Sequence, residues 1–345
     1  MNTADRSRNV AAADGAGRRS RWTKSIRLGA AAIATGALAA TAALTMIAPA
    51  GASTTTTYTF RTLNNRHDVT FNQLLGINNH GVIAGYFGSG AKGHPNKGYR
   101  LPQPYGLGHY VNENFPGSKQ TQVTGLNDHG VSVGFWSTQN KASMVNNNFG
   151  FYAKNGHFHE VNFPTGDNAK PPVDQLLGVN DSGVTVGFYT NGQGSNRGFE
   201  YDIHSHTFTR VLAPGAPGGT KGPSLTAAAI NNNGAVAGFY VTSGGTTDAF
   251  ARRASGKFIT LAYPGATMTQ AFGLNDHGEV VGAYTLGSGS SATTHGFTWQ
   301  AGHFTTVDDP HGVGTTFING VNNAGDLVGF YTDSAGNTDG MLATP

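Results

Sequence analysis

A fourteen-residue segment returns six times along this chain, and that recurrence constrains the fold more than any other feature. It reads LLGINNHGVIAGYF at 74–87, VTGLNDHGVSVGFW at 123–136 and LLGVNDSGVTVGFY at 176–189. The later copies are AAAINNNGAVAGFY at 227–240, AFGLNDHGEVVGAY at 271–284 and INGVNNAGDLVGFY at 318–331. The first Asn of each falls at 78, 127, 180, 231, 275 and 322, a spacing of 44 to 53 residues.

Each copy is an apolar run, an Asn-[Asn/Asp]-x-Gly step and an alternating run that ends in Gly and large apolar residues. Asx residues favour turns and Gly accepts the positive φ that closes one, so each copy predicts a β-hairpin, strands a and b. A third strand, c, is expected around Lys97-Gly98-Tyr99, Arg197-Gly198-Phe199, Asp248-Ala249-Phe250 and His295-Gly296-Phe297. A fourth, d, is expected around Gly156 to Val161, Gly256 to Leu261 and Gly302 to Val307. Four antiparallel strands every fifty residues or so is the pattern of a propeller blade. Tyr58 to Leu63 reads as a d strand standing alone, whereas the last copy ends on its c strand at Asp339 to Leu342. The expectation is therefore all-β: a six-bladed β-propeller of four-stranded antiparallel blades over residues 53–345, its last blade closed by the N-terminal strand. Gly two residues before the marker Asn, at 76, 125, 178, 273 and 320, with Ala229 in the fourth copy, fits strand a lying innermost, where blades crowd the axis.

The Gly-Φ-Asn-Asp-x-Gly-x-Val-Val-Gly-x-Tyr core over residues 58–345 resembles the HAF repeat of extracellular proteins. That family is named for a His-Ala-Phe tripeptide at the position of His295-Gly296-Phe297 and Asp248-Ala249-Phe250, and no tripeptide here is literally His-Ala-Phe. The resemblance implies secretion and a propeller-like fold; it brings no reaction and no catalytic residues.

Residues 1–52 differ in kind. A basic stretch from Arg18 to Arg27 precedes the Ala-rich run Leu28 to Ala48 and then Ala50-Gly51-Ala52, the layout of a signal peptide with cleavage expected after Ala52. Arg18-Arg19 fits twin-arginine export, with the general secretory route and an uncleaved anchor as alternatives. The leader holds seven of the 22 basic residues and two of the 19 acidic ones, leaving 15 and 17 and a formal charge of −2 for the mature chain. That balance offers no basic field for nucleic acid, and after cleavage no membrane attachment is expected. With no Cys there are no disulfides, thiolate metal sites or Cys nucleophiles.

Residues repeated in every blade are most economically structural, so function is sought where the copies disagree. The residue before the Gly-aromatic step reads Lys97, Phe149, Arg197, Asp248, His295 and Asp339. Asp248, His295 and Asp339 in consecutive blades invite a general acid–base or metal reading, although strand c should hold them far from the axis and apart. Asp68 and Asp174 are the other acids expected near the channel mouth, and with these three they are the catalytic candidates; a glycosidase would need two of them converging. Gln73, Gln122, Gln175 and Gln270, five residues before their marker Asn, are expected to ring the channel, where they would bind a ligand such as sugar hydroxyls or tie blade to blade. Asp308-Asp309 with His311 reads as a cation ligand set or an Asx-Pro turn, and His80, His129 and His277 as solvated turn residues on the opposite face. No nucleophile elbow, P-loop or HExxH occurs, and nothing calls for a cofactor or a resident metal. The function expected is a secreted, monomeric module binding extracellular glycan or a surface protein, with a polysaccharide hydrolase or lyase as the alternative.

Overall fold

The computed structural model describes residues 56–140, 146–213 and 222–345, so the expected signal segment lies outside the described residues. The described chain is all-β, and its sheets are built from four antiparallel strands each. The first sheet contains β2 (Asn72–Ile77), β3 (Ile83–Phe87), β4 (Lys97–Leu101) and β5 (Val111–Asn112). β6 (Gln120–Leu126), β7 (Val131–Ser137), β8 (Phe149–Lys154) and β9 (His157–Val161) form the second. The third has β10 (Asp174–Val179), β11 (Val184–Thr190), β12 (Asn196–Asp202) and β13 (Thr207–Arg210).

Two further sets follow, β14 (Leu225–Ile230), β15 (Val236–Val241), β16 (Thr247–Arg252) and β17 (Phe258–Leu261), then β18 (Met268–Leu274), β19 (Val280–Leu286), β20 (Thr293–Gln300) and β21 (His303–Thr306). One parallel bridge, Thr247 with Met268, joins these two sets into an eight-stranded sheet. Equivalent bridges recur as Asn148 with Val173, Thr294 with Thr315 and Phe71 with Thr338, so this is the ordinary junction between neighbours. The last sheet joins the two ends of the described chain: β22 (Thr316–Val321), β23 (Leu327–Thr332) and β24 (Thr338–Thr344) are completed by β1 (Thr59–Thr62), antiparallel to β24.

Local chemistry dictates the hairpins. Asn78 Oδ1 accepts the N–H groups of His80 and Val82 at 3.1 and 2.8 Å, and Gly81 turns the chain at φ 72. The same bonds recur at Asn127 and Asn231, with Gly130 and Gly234 likewise at positive φ. Such a turn orders the chain without tertiary help. Each hairpin also carries a bulge in its first strand, between Leu74 and Gly76 in the first copy, which shifts the register just before the turn.

What the turns do across the seams is larger in scale. Asn78 Nδ2 donates to the carbonyl of Asn127 at 3.0 Å, Asn127 to Asn180, Asn180 to Asn231, Asn231 to Asn275, Asn275 to Asn322, and Asn322 back to Asn78 at 3.4 Å. A second circuit runs one residue on. There the N–H groups of Asn79, Asp128, Asp181, Asn232, Asp276 and Asn323 each donate to the Oδ1 of the next member, and the last returns to Asn79. The first strands accordingly sit side by side, β2 against β6 and onward to β22, which lies against β2. Gly125 shows how tight that approach is, because a Cβ there would stand 2.8 Å from the Leu177 carbonyl oxygen.

Apolar side chains fill the seams. Val131 and Val133 of β7 pack with Leu176 and Val179 of β10 and with Tyr189 and Phe199, and comparable clusters lie between the other neighbours, including Leu74 of β2 with Val328 of β23 and Leu342 of β24. Burial of this kind is worth roughly 1.5–3 kcal/mol per large side chain. No helix among the described residues is long and apolar enough to cross a membrane.

Candidate functional site

The variable residues of the c strands occupy one equivalent place. Register pairs Lys97 with Phe87, Phe149 with Trp136, Arg197 with Tyr189, Asp248 with Tyr240, His295 with Tyr284 and Asp339 with Tyr331. Six times over, an aromatic ring at the end of the second strand stands directly across from a side chain that differs between copies. The connection entering each sheet adds a second ring in three cases: Phe115 lies on Trp136 at 4.3 Å, Phe163 on Tyr189 at 4.7 Å and Tyr263 on Tyr284 at 3.5 Å between centroids. Arg210 reaches over Phe163 at 5.3 Å.

A residue one or two places beyond the outer strand pins this arrangement. Oδ1 of Asn114, Asn162, Asp308 and Asn64 accepts the N–H of Gly98, Gly150, Gly296 and Gly340, respectively. Two of these caps also hold the variable residue: Asp308 Oδ2 meets His295 Nδ1 at 2.7 Å, and Asn64 Nδ2 donates to Asp339 Oδ1 at 2.7 Å. Arg197 donates to the carbonyls of Gly222 and Pro223. Burial pushes the Asp339 carboxyl up, against the Asn64 bond, with the negative charges of Asp333 and Asp309 adding to the rise. Burial alone does the same to Asp248.

The remaining acids are held by the backbone. Asp174 opens β10 with 1% of its surface exposed, and its Oδ1 accepts the N–H of Phe163 at 2.9 Å. That bond is generic: Thr121, Thr269 and Thr316 offer Oγ1 to Phe115, Tyr263 and Asp309, and Asn72 offers Oδ1 to Asn65. Asp174 therefore fills a place where neutral residues serve elsewhere. Desolvation raises its carboxyl to about 6, the Phe163 N–H opposing and the charge of Glu160 reinforcing. Asp68 closes a different turn, accepting from Thr70 N–H and Oγ1 through Oδ1 and meeting His94 Nδ1 at 2.8 Å through Oδ2. Burial pushes Asp68 up, yet the Thr70 and His94 bonds outweigh it and hold the carboxyl below its ordinary range. Asp68, in the connection before β2, and Asp174, at the start of β10, thus stand two sheets apart, each with its own partners. In the Asp309 loop, Oδ1 accepts both the N–H of His311 and its Nδ1, a closed Asx turn. No group of three or more His, Asp or Glu among the described residues could hold a metal ion.

The glutamines lie inward. Gln73, Gln175 and Gln270 are buried, at 4%, 3% and 9% exposure, and Gln122 is half-buried. Gln175 Nε2 donates to Asn148 Oδ1 at 2.7 Å and Gln122 Nε2 to Asn96 Oδ1 at 3.3 Å, in each case across a seam to the preceding sheet. At Thr226 the bond runs the other way, its Oγ1 accepting from Asn196 Nδ2 at 3.0 Å, and Gln73 accepts from Tyr86 within its own sheet. Sequence reading did not find the partners Asn96, Asn148 and Asn196. Their common place, at the entry to the third strand, was the available signal.

At the opposite, turn end the Asn and Asx circuits line a cavity of about 70 Å3, with Ile77, Leu126, Val179, Ile230, Leu274 and Val321 beneath them. The sequence directed attention to the loop end; this cavity is at the other. Its polar groups are mutually satisfied: Asp276 Oδ2 accepts from both Asn232 and Asn323, and those bonds hold the Asp276 carboxyl low in spite of burial. His80, His129 and His277 are exposed beside it.

No protein-family model matches the chain, and no curated protein matches it. Among solved structures it is similar to AofleA from Arthrobotrys oligospora, at 12% identity and a TM-score of 0.48, covering 83% of this chain and 86% of that one. It is also similar to a variant of the Aleuria aurantia lectin in complex with Fucα1-6GlcNAc, at 12% identity and a TM-score of 0.45, covering 78% and 91%. A polysaccharide lyase, an ulvan lyase, is similar at 12% identity and a TM-score of 0.40, covering 79% and 82%.

Proposed function

We propose that this chain is a secreted, monomeric six-bladed β-propeller, related to the HAF-repeat proteins, that acts as a binding module for extracellular glycan. The observation that carries the reading is the pairing of a half-exposed aromatic ring with a half-exposed charged side chain across the second and third strands, Phe87 with Lys97 and Tyr240 with Asp248. Aromatic faces take the C–H faces of sugars, and neighbouring charged or amide groups take the hydroxyls, so such a pair is the minimal element of a saccharide subsite. Variation of the second member from blade to blade lets the subsites differ in preference on one constant frame. Blade closure supports the same picture, since the Asn circuits join all six first strands.

The candidate acids favour binding over glycosidic cleavage. Asp174, Asp68 and Asp339 each satisfy a turn, a backbone N–H or a cap, whereas an inverting or retaining pair must face one bond at about 5–10 Å. The mature protein is expected to bind on a glycan array and to leave soil and cell-wall polysaccharides uncleaved. Lys97→Ala and Asp248→Ala, each on a half-exposed pair, are expected to weaken binding by about tenfold for loss of a charged hydrogen bond. An empty array, or unchanged binding by both variants, would sink the proposal.

A further inference from the structure

One blade holds an arrangement the others lack. In β20 His295 lies between two partners: its Nδ1 meets Asp308 Oδ2 at 2.7 Å and its Nε2 meets Thr293 Oγ1 at 2.9 Å. A carboxylate only accepts, so Nδ1 carries the proton and Nε2 is left to accept from the Thr293 hydroxyl. Asp308 is itself fixed, because its Oδ1 accepts the Gly296 N–H at 3.1 Å. The imidazole is also stacked on Tyr284 at 5.2 Å, which restrains its plane. Hydroxyl, base and orienting carboxylate within hydrogen-bond reach are the parts of an activated nucleophile. The group remains reachable, with the His295 and Asp308 side chains 25% and 39% exposed.

We propose that the Thr293–His295–Asp308 relay activates the Thr293 hydroxyl toward ester carbonyls, and that an O-acylated sugar is its substrate class. The relay stands on its own geometry; the sugar half rests on the glycan reading above. In the first half-reaction Thr293 Oγ bonds to the ester carbon as its proton passes to His295 Nε2. The tetrahedral adduct then breaks its bond to the sugar oxygen, which leaves with that proton. Water repeats the sequence, giving its proton to Nε2 and releasing the acyl group as a carboxylic acid while Thr293 regains its hydrogen. Ester and water become acid and alcohol with no other reactant. Nearby N–H groups at Thr294 and Gly296 are already donated to Gly314 and Asp308, so acylation is expected to be slow.

The test reads the covalent step directly. Mature protein treated with p-nitrophenyl acetate should gain about 42 Da as one acetyl group, mapped to Thr293 by peptide mass spectrometry, with a matching burst of nitrophenol. His295→Asn and Asp308→Asn should lower the burst rate by about 10²–10⁴-fold, whereas Thr293→Ser should keep the label and Thr293→Val lose it. No acetyl group, an acetyl group on another residue, or a burst unchanged in His295→Asn overturns the relay. Acetate release from O-acetylated xylan supports the substrate class; labelling without that release overturns it and leaves the relay. Array binding by Thr293→Val separates both outcomes from the glycan reading.

Discussion

Replacing Asp174 by Thr should make this protein more stable at neutral pH, although it removes a buried residue that looks catalytic in the sequence. Thr is what three other copies use to accept the same connection N–H, so the Phe163 bond survives while the buried charge goes. Asp174 has its carboxyl raised from 3.8 to about 6, chiefly by desolvation. A group raised in the folded state stabilises fully below its unfolded value and loses that contribution as pH climbs through the folded one. The window is therefore between 3.8 and about 6. At about 1.4 kcal/mol per unit, the ionised carboxylate costs the folded protein on the order of 2–3 kcal/mol above that window. For a domain of this size the variant should melt roughly 4–10 °C higher at neutral pH, and the difference should nearly vanish toward the acid end. Thermal melts of both proteins across the acid-to-neutral range measure it, with glycan-array binding expected to be unchanged. A gain that does not vary with pH, or a loss at neutral pH, would refute the electrostatic argument; lost binding with intact stability would return Asp174 to the ligand.

The turn circuits and the crowded axis give two further expectations. Asn231→Ala removes the acceptor for the Asn233 and Ala235 N–H groups and the bridge to the Asn275 carbonyl, and should cost about 2–4 kcal/mol in urea unfolding. A cost below half a kcal/mol would mean the turns hold without it. Gly125→Ala places a methyl 2.8 Å from the Leu177 oxygen and should cost about 1–3 kcal/mol, while Ala229→Gly, which gives the fourth copy the residue of the other five, should be nearly neutral by the same measurement.

Much of the frame was legible because it is local. An Asx-x-Gly step with alternating apolar flanks determines its own hairpin, and the lone d strand at 59–62 was recognisable from the pattern of the other copies before β24 supplied its partner. Innermost glycines likewise announced a close approach. What escaped reading depends on the angle between sheets. Nothing in Asn78 says that its amide will reach Asn127, 49 residues on, because that bond exists only once two turns are brought side by side. The acids misled for a related reason: Asp174 and the threonines that share its task look chemically unlike until the common N–H they serve is seen. His295 was singled out for its blade neighbours Asp248 and Asp339, but its recorded partners are Asp308 and Thr293 in its own sheet. The cavity at the turn end was unforeseen because six self-satisfied turns leave a hollow only when arranged around an axis.

The return of the Asn circuit from Asn322 to Asn78 has a kinetic meaning. A linear stack can fray from a terminus, losing one repeat at a time at small cost. Here every repeat has two neighbours, so the first to leave must rupture two interfaces at once, and nothing is recovered until the second gives way. Such a molecule unfolds rarely and all together, and its lifetime among proteases that sample whatever opens is governed by that barrier rather than by the modest free energy of any single seam.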